Sequence, residues 1–157
     1  MIRPARGDEL GALAKLWRDG WHDAHAAIVP EALTRLRTIE NFTERMAPML
    51  PTVRVIERDG AAIGFHFLKD DELNQFYLAA TARGSGAANA LMADAETHLA
   101  QAGLTRAWLS CAIGNDRAAR FYEKAGWTRA GTMIDWPQTA EGPFRLETWR
   151  YEKALAL

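Results

Sequence analysis

Leu78 to Gly103, LAATARGSGAANALMADAETHLAQAG, is the stretch whose reading decides the fold. It begins at the end of an apolar run and turns through Arg83-Gly84-Ser85-Gly86. It then continues as a helix with Ala88, Leu91, Met92, Ala95 and Leu99 on one stripe and Asn89, Asp94, Glu96 and Gln101 opposite. Strand, glycine loop and helix together make an anion site. The glycines let backbone N–H groups point inward, and the helix start adds unpaired donors and the positive end of the dipole. A phosphate-bearing ligand is expected there; the plainer alternative is a glycine-rich turn into a helix. A Walker-type loop needs a lysine after its last glycine, and none follows Gly86. A dinucleotide fold wants a third glycine and an early position, and this loop has neither.

Outward from this centre, residues 2–6 suit a short first strand. A helix is expected from Asp8, its N-cap, through Leu10, Leu13, Ala14 and Trp17, with Gly20 ending it. Trp21-His22-Asp23-Ala24-His25 follows as a connecting segment. Pro30 opens a helix through Leu36, and Ile39 to Met49 carries Phe42, Met46 and Met49 on one side. Val53, Val55 and Ile56 then begin a β-rich part. Asp59-Gly60 signals a hairpin to Ile63–Leu68, and Lys69-Asp70-Asp71 turns the chain into Glu72–Leu78. After the central helix, capped by Gly103, come a strand over Leu104–Cys111 and a helix capped by Asn115 and stopped by Gly126. Strands near Trp127–Trp136 and Phe144–Glu152 close the chain. The strand–helix–strand over 72–111 requires a parallel crossover, while the hairpins require antiparallel pairing.

The chain of 157 residues suits one domain. Its net charge of −1, with both signs scattered, makes no case for nucleic acid or an acidic membrane surface. Cys111 is the sole cysteine, which excludes an intramolecular disulfide and a cysteine metal cluster and leaves a small buried thiol as its expected role. MIRPARGDEL lacks the apolar core of a signal peptide, and no apolar run reaches membrane-spanning length, so a cytoplasmic location is expected. His22 and His25 have no third partner for a metal, and no metal is expected. His66 and His98 read as surface residues of a strand and a helix.

Asn115-Asp116-Arg117-Ala118-Ala119-Arg120-Phe121-Tyr122-Glu123-Lys124-Ala125-Gly126-Trp127 resembles the N-x-x-A-x-x-F-Y-x-k-x-G-[FW] signature of the GNAT acetyltransferase superfamily. R-G-S-G-A-A followed by N-A-L-M resembles that family's coenzyme A motif, Q/R-x-x-G-x-G/A, and Glu72–Leu78 looks like its fourth strand. The three segments stand in the family's order, and the resemblance spans nearly the whole chain. It implies a single acetyltransferase domain over residues 1–157. The implied fold is α/β (α+β), with a mixed, mostly antiparallel sheet of six to seven strands, splayed after the fourth, and about four helices on both faces.

The implied activity is transfer of the acetyl group of acetyl-coenzyme A to an amine, directly and without an acyl-enzyme. By the same resemblance, Arg83, Gly84, Ser85, Gly86, Ala87 and Ala88 hold the pyrophosphate, backbone near Leu78 and Ala80 meets the pantetheine arm, and Asn115 contacts the coenzyme. Tyr122 matches the tyrosine that protonates the departing thiolate, a reasonable donor since a phenol near pKa ~10 can supply a thiol near ~8.5. Glu72 matches the general base of some members; a solvated residue leaving the turn is the other reading. On a regular strand residues 72, 74, 76 and 78 share a face, which would set Glu72 on the side of Leu78. Trp21, His22 and His25 fall where relatives form the acceptor mouth. Ala80 replaces a frequent proline and Ala87 a bulky aliphatic, which bears on affinity. Homodimers are common in the family. Two other functions compete: a non-catalytic acyl-coenzyme A sensor or scaffold, and an NAD-binding domain. The acceptor, a small molecule or a peptide amine, is not named by any motif.

Overall fold

A computed structural model describes residues 1–156. The chain opens with β1 (Ile2–Pro4) and a 3-10 turn at Gly7–Glu9. Three helices follow, α1 (Leu10–His25), α2 (Glu31–Leu36) and α3 (Ile39–Met49). Then come β2 (Arg54–Arg58), β3 (Ala61–Lys69), β4 (Glu72–Leu78) and α4 (Ala87–Gln101). The last part is β5 (Arg106–Ala112), α5 (Asp116–Lys124), β6 (Thr128–Asp135), a small ribbon of β7 (Gln138–Thr139) and β8 (Gly142–Pro143), and β9 (Leu146–Ala154). Seven strands form one sheet in the order β1-β2-β3-β4-β5-β9-β6. Every neighbouring pair is antiparallel except β4 and β5, which run parallel because α4 crosses between them. No helix among the described residues is long and apolar enough to cross a membrane.

Alternation along the strands feeds two apolar cores on opposite faces. Val55 and Phe65 join Leu13, Trp17, Trp21, Leu33, Phe42 and Met46 beneath α1 to α3. Leu73, Leu109, Cys111 and Tyr151 join Met92, Ala95 and Leu99 of α4 and Ala119 of α5 on the other face, with Ile56 and Leu91 alongside.

Three local expectations give way to tertiary structure. Asp8 does not cap the first helix, and its side chain stands in solvent. Glu9 does the work instead: its Oε1 accepts the Arg6 backbone N–H at 2.7 Å, and Arg3 grips both carboxylate oxygens at 2.9 and 3.0 Å. His66 is not a surface residue but 1% exposed, and the Asp94 side chain is largely sheltered instead of lying on a solvent stripe. His66 Nε2 donates to Asp94 Oδ2 at 2.8 Å, and Arg54 forks onto the same carboxylate at 2.8 and 3.1 Å. Burial pushes the His66 ring below its ordinary value, so the neutral ring acts as a donor in a strut between β2, β3 and α4.

The third concerns Gly20, which sits inside α1 instead of ending it. A Cβ there would stand 2.7 Å from Cδ1 of Tyr77, so the glycine admits the Tyr77 ring against the helix backbone. Trp21 to His25 therefore continue the helix and bring their side chains over the sheet. Helix propensity alone gives Gly20→Ala about 1 kcal/mol of stabilisation, whereas overpacking against an aromatic ring costs ~1–3 kcal/mol. Thermal unfolding of Gly20→Ala is expected to show a lower Tm than the parent. A higher one would mean that the ring yields freely.

Candidate active site

The site begins where β4 and β5 part. Their ladder holds one paired position, Glu72 opposite Trp108. Asp71 clasps that end: its carbonyl accepts the Trp108 backbone N–H at 3.2 Å and its Oδ1 the indole N–H at 3.0 Å. β5 pairs with β9 along its whole length, at seven positions, four of which lie beyond Trp108 where it has no pairing with β4. The facing edges of β4 and β5 are therefore left with backbone donors and acceptors open to a ligand.

A cleft of about 510 Å³ lies over this gap on the side of α4 and α5, lined among others by Phe76, Leu78, Gly84, Gly86, Asn115 and Tyr122. Its floor at the start of α4 is a nest of donors. Gly84 and Gly86 take φ of 76° and 85°, the left-handed region that glycine enters without strain. Ser85 N–H and Ala87 N–H are satisfied inside the loop, by the Ala82 carbonyl and by Ser85 Oγ. The backbone N–H groups of Gly84, Gly86, Ala88 and Asn89 have no acceptor among the described residues, and all four residues line the cleft. Four free donors at a helix start suit a pyrophosphate. Ser85 and Ala87 shape the loop from behind, and Ala80 begins the 3-10 turn that leads into it. Arg83 reaches across the rim to Asp23 at 2.6 Å, a contact that Arg117 shares at 3.3 Å.

Asn115 caps α5, with its Oδ1 accepting from Ala118 N, so only its amide nitrogen is left to donate into the cleft. Tyr122 lines the same cleft two turns on, against the rings of Phe121 and Tyr151. Burial first, then neighbouring Cys111 and Tyr77, pushes its phenol well above the ordinary range, and the group keeps its proton at neutral pH. Cys111 is 4% exposed and its thiol is pushed up to about 12 by burial, which leaves no nucleophilic thiolate.

A second cavity of about 750 Å³ opens on the opposite face. It shares Asn74, Gln75, Tyr77, Ser110, Ala112 and His25 with the first, so the two meet at the gap between the strands. Glu72 lines the second cavity and not the first. The regular alternation expected along this strand is broken by a bulge. Phe67 pairs with Gln75 and Leu68 with Leu73, leaving Asn74 unpaired on β4. Leu73 and Phe76 thus share the α4 face, and Glu72 is separated from Leu78. Burial raises the Glu72 carboxyl above the usual carboxylate range, partly offset by Asn74 Nδ2, which donates to Oε1 at 2.9 Å.

Of the three residues expected at the acceptor mouth, Trp21 and His25 line the second cavity and His22 lines neither. His22 Nε2 instead donates to the Arg37 carbonyl at 2.7 Å and ties α1 to the end of α2. Arg37, Arg45 and Asp135 join the cavity from the stretches 17–50 and 128–145 expected to shape it, though none was singled out, and Trp108 joins from outside them. Arg45 alone had a legible signal: it stands between Phe42, Met46 and Met49, a cation on the apolar face of a helix. Among the described residues, no three His, Cys, Asp or Glu side chains stand close enough to hold a metal.

Comparison with known proteins agrees with this architecture. The profile of the Acetyltransferase (GNAT) family matches residues 12–127, most of the chain. A protein named as an uncharacterized N-acetyltransferase of Mycobacterium bovis is 36% identical over 112 residues, 68% of this chain and 69% of that one. The chain therefore belongs to the acetyltransferase (GNAT) family, and it is an acyltransferase. Two solved structures speak to the fold. The PaiA N-acetyltransferase of Thermoplasma acidophilum, in complex with coenzyme A, superposes with a TM-score of 0.75 at 19% identity over 98% of both chains. The ribosomal-protein-alanine N-acetyltransferase of Brucella melitensis does so with 0.74 at 19% identity over 99% of both.

His25 gives the site a pH signature. Its Nδ1 donates to the Trp21 carbonyl at 2.9 Å, and burial lowers the ring from 6.5 to about 4. As pH falls through 6.5 the unfolded chain takes up a proton that the folded chain refuses, so this stability is progressively lost down to about pH 4. Urea midpoints are expected to fall between about pH 7 and about pH 5 more steeply in the parent than in His25→Gln. Equal slopes would remove His25 as the cause.

Proposed function

We propose that residues 1–157 act as a single cytoplasmic acetyltransferase domain, which moves the acetyl group of acetyl-coenzyme A directly to a primary amine in a ternary complex. The observation that carries the reading is the pair of cavities meeting at the β4–β5 gap, one floored by four free N–H donors and holding Tyr122, the other holding Glu72. That arrangement suits a donor with phosphates on one face and an acceptor on the other. Gly84, Gly86, Ala88 and Asn89 bind the pyrophosphate through their backbone, and Asn115 adds its amide nitrogen. The open edge of β4 near Leu78 takes the pantetheine arm as an added strand. A coenzyme A-bound neighbour of the same fold supports the choice of donor.

In this reading the amine nitrogen attacks the acetyl carbon, the carbon–sulfur bond breaks, and Tyr122 Oη gives its proton to the leaving sulfur. Glu72 takes the proton released by the amine, directly or through water. Its carboxyl, raised by burial, is a better base than an exposed one. Burial keeps Tyr122 protonated at neutral pH, so the phenol is in its acid form when the thiolate leaves.

The direct test mixes the protein with acetyl-coenzyme A and an amine panel and follows thiol release. Coenzyme A binding without release from any amine would favour a sensor or scaffold. Tyr122→Phe is expected to lower kcat by roughly 100-fold, within the range of general acid catalysis, with acetyl-coenzyme A affinity kept. An unchanged kcat would remove Tyr122 as the acid. Glu72→Gln is expected to lower kcat/KM and abolish the acidic limb of its pH profile. A limb that persists would assign the base elsewhere.

A further inference from the structure

The acceptor cavity holds charges that transfer to a simple amine does not use. Arg37 is 2% exposed. Its Nη1 donates to Asn41 Oδ1 at 2.7 Å and to the Gln138 carbonyl at 2.6 Å, while its Nε is buried without a partner. Arg45 lies on α3 with its guanidinium 4.3 Å from the Trp17 ring centroid and 5.7 Å from that of Phe42. Its Nη1 is likewise buried without an acceptor. Elsewhere the protein pairs its sheltered cations with carboxylates, as in Arg3–Glu9, Arg54–Asp94 and Lys153–Glu96. Neither Arg37 nor Arg45 has such a partner among the described residues; Arg37 is held by neutral oxygens and Arg45 by rings.

An unpaired guanidinium away from water is costly, and both groups register it. Burial lowers Arg37 to about 10, and burial together with Arg37 lowers Arg45 to about 9. An anion entering the cavity would relieve that cost. The opposite charges are also present, since Glu72 and Asp135 line the same cavity, and Glu72 is raised first by burial and further by the Asp135 charge. Arg37, Arg45 and Lys69 are balanced there by Glu44, Glu72 and Asp135. A ligand carrying one charge of each sign fits this balance, whereas a dianionic phosphate would meet three carboxylates. Leu33, Met49, Phe67 and Trp136 supply apolar wall between the charges.

We propose that the acceptor is an amino carboxylate with an apolar side chain. Arg45, backed by Arg37, holds its carboxylate, and its amine lies toward Glu72 and the gap between the strands. This rests on the acetyl-transfer reading and adds the acceptor's chemical class to it. Arg45 then sets specificity, while Arg37 mainly positions: with its Nη1 committed to Asn41 and Gln138, it fixes the cavity wall and contributes charge.

The anion site is tested by binding, independently of turnover. Phenylpropionate and its neutral isostere phenylpropanamide are titrated into the coenzyme A-loaded protein, read by tryptophan fluorescence and by calorimetry. The acid is expected to bind at least ~10-fold more tightly than the amide, as a charge-assisted bidentate contact would give. Arg45→Met and Arg45→Gln are both expected to erase the preference while leaving coenzyme A affinity unchanged. Neither should lower Tm much, since each removes an unpaired buried charge. Equal binding of acid and amide, no binding of either, or a preference that survives in both variants overturns the proposal. Turnover then compares phenylalanine with phenethylamine. A KM at least ~10-fold lower for phenylalanine, lost in Arg45→Gln, supports the assignment, and equal KM values overturn it. No thiol release from any amine, with the acid still preferred, would sink the transfer reading and the acceptor assignment with it, while leaving the anion site standing.

Discussion

The constraint on which the rest depends is that β4 and β5 pair at one position and then part. A parallel ladder between them would close the sheet, bury its own backbone groups and leave no room between α4 and α1. Several features hold the gap open. The clasp of Asp71 on Trp108 fixes the closed end, while β5 is committed to β9 along its length. The bulge at Asn74 adds local twist to β4 where it leaves β5. The unpaired edges that result would be a liability elsewhere in a sheet. Here they lie at the meeting of two cavities, with α1 and α5 on either side.

The two cavities differ in their electrostatics because different elements line them. The first takes its donors from backbone, at a loop whose position depends on α4. That helix is tied to the sheet by the Asp94 carboxylate, which Arg54 and His66 hold from β2 and β3. The second takes its charges from side chains just past α2 and on α3, β3, β4 and β6, several of them partly desolvated. Fixed backbone donors suit a constant ligand group. Side-chain charges on the helical layer can vary without disturbing the sheet, and so suit the acceptor.

Much of this was legible in the linear chain, for identifiable reasons. The glycine loop and α4 were readable because the left-handed turns at Gly84 and Gly86 and the following apolar stripe are local. Asn115 and Tyr122 were readable through a contiguous signature on one helix. The misreadings were cases where a contact made on folding overrode a local preference. Gly20 looked like a stop because nothing nearby announces Tyr77, and Asp8 looked like a cap because Arg3 and Glu9 meet only after folding. His66 and Asp94 looked solvated because they neutralise each other's cost across 28 residues. His22 stood beside true cavity residues, yet one residue along a helix turns a side chain by about 100°.

The sequence by itself determined the order of the main strands and helices, the parallel crossover, the glycine loop and the family, because each rests on periodicity, glycine geometry or a contiguous motif. Only the tertiary structure decided where the chemistry faces. The bulge at Asn74 turns Glu72 to the second cavity, a shift of one residue that alternation along the chain does not reveal. Arg37 and Arg45 become a cationic pair without carboxylate partners only when α2 and α3 fold over the sheet and bury one nitrogen of each without an acceptor. Desolvation and pairing depend on neighbours in space, and those neighbours lie far apart along the chain.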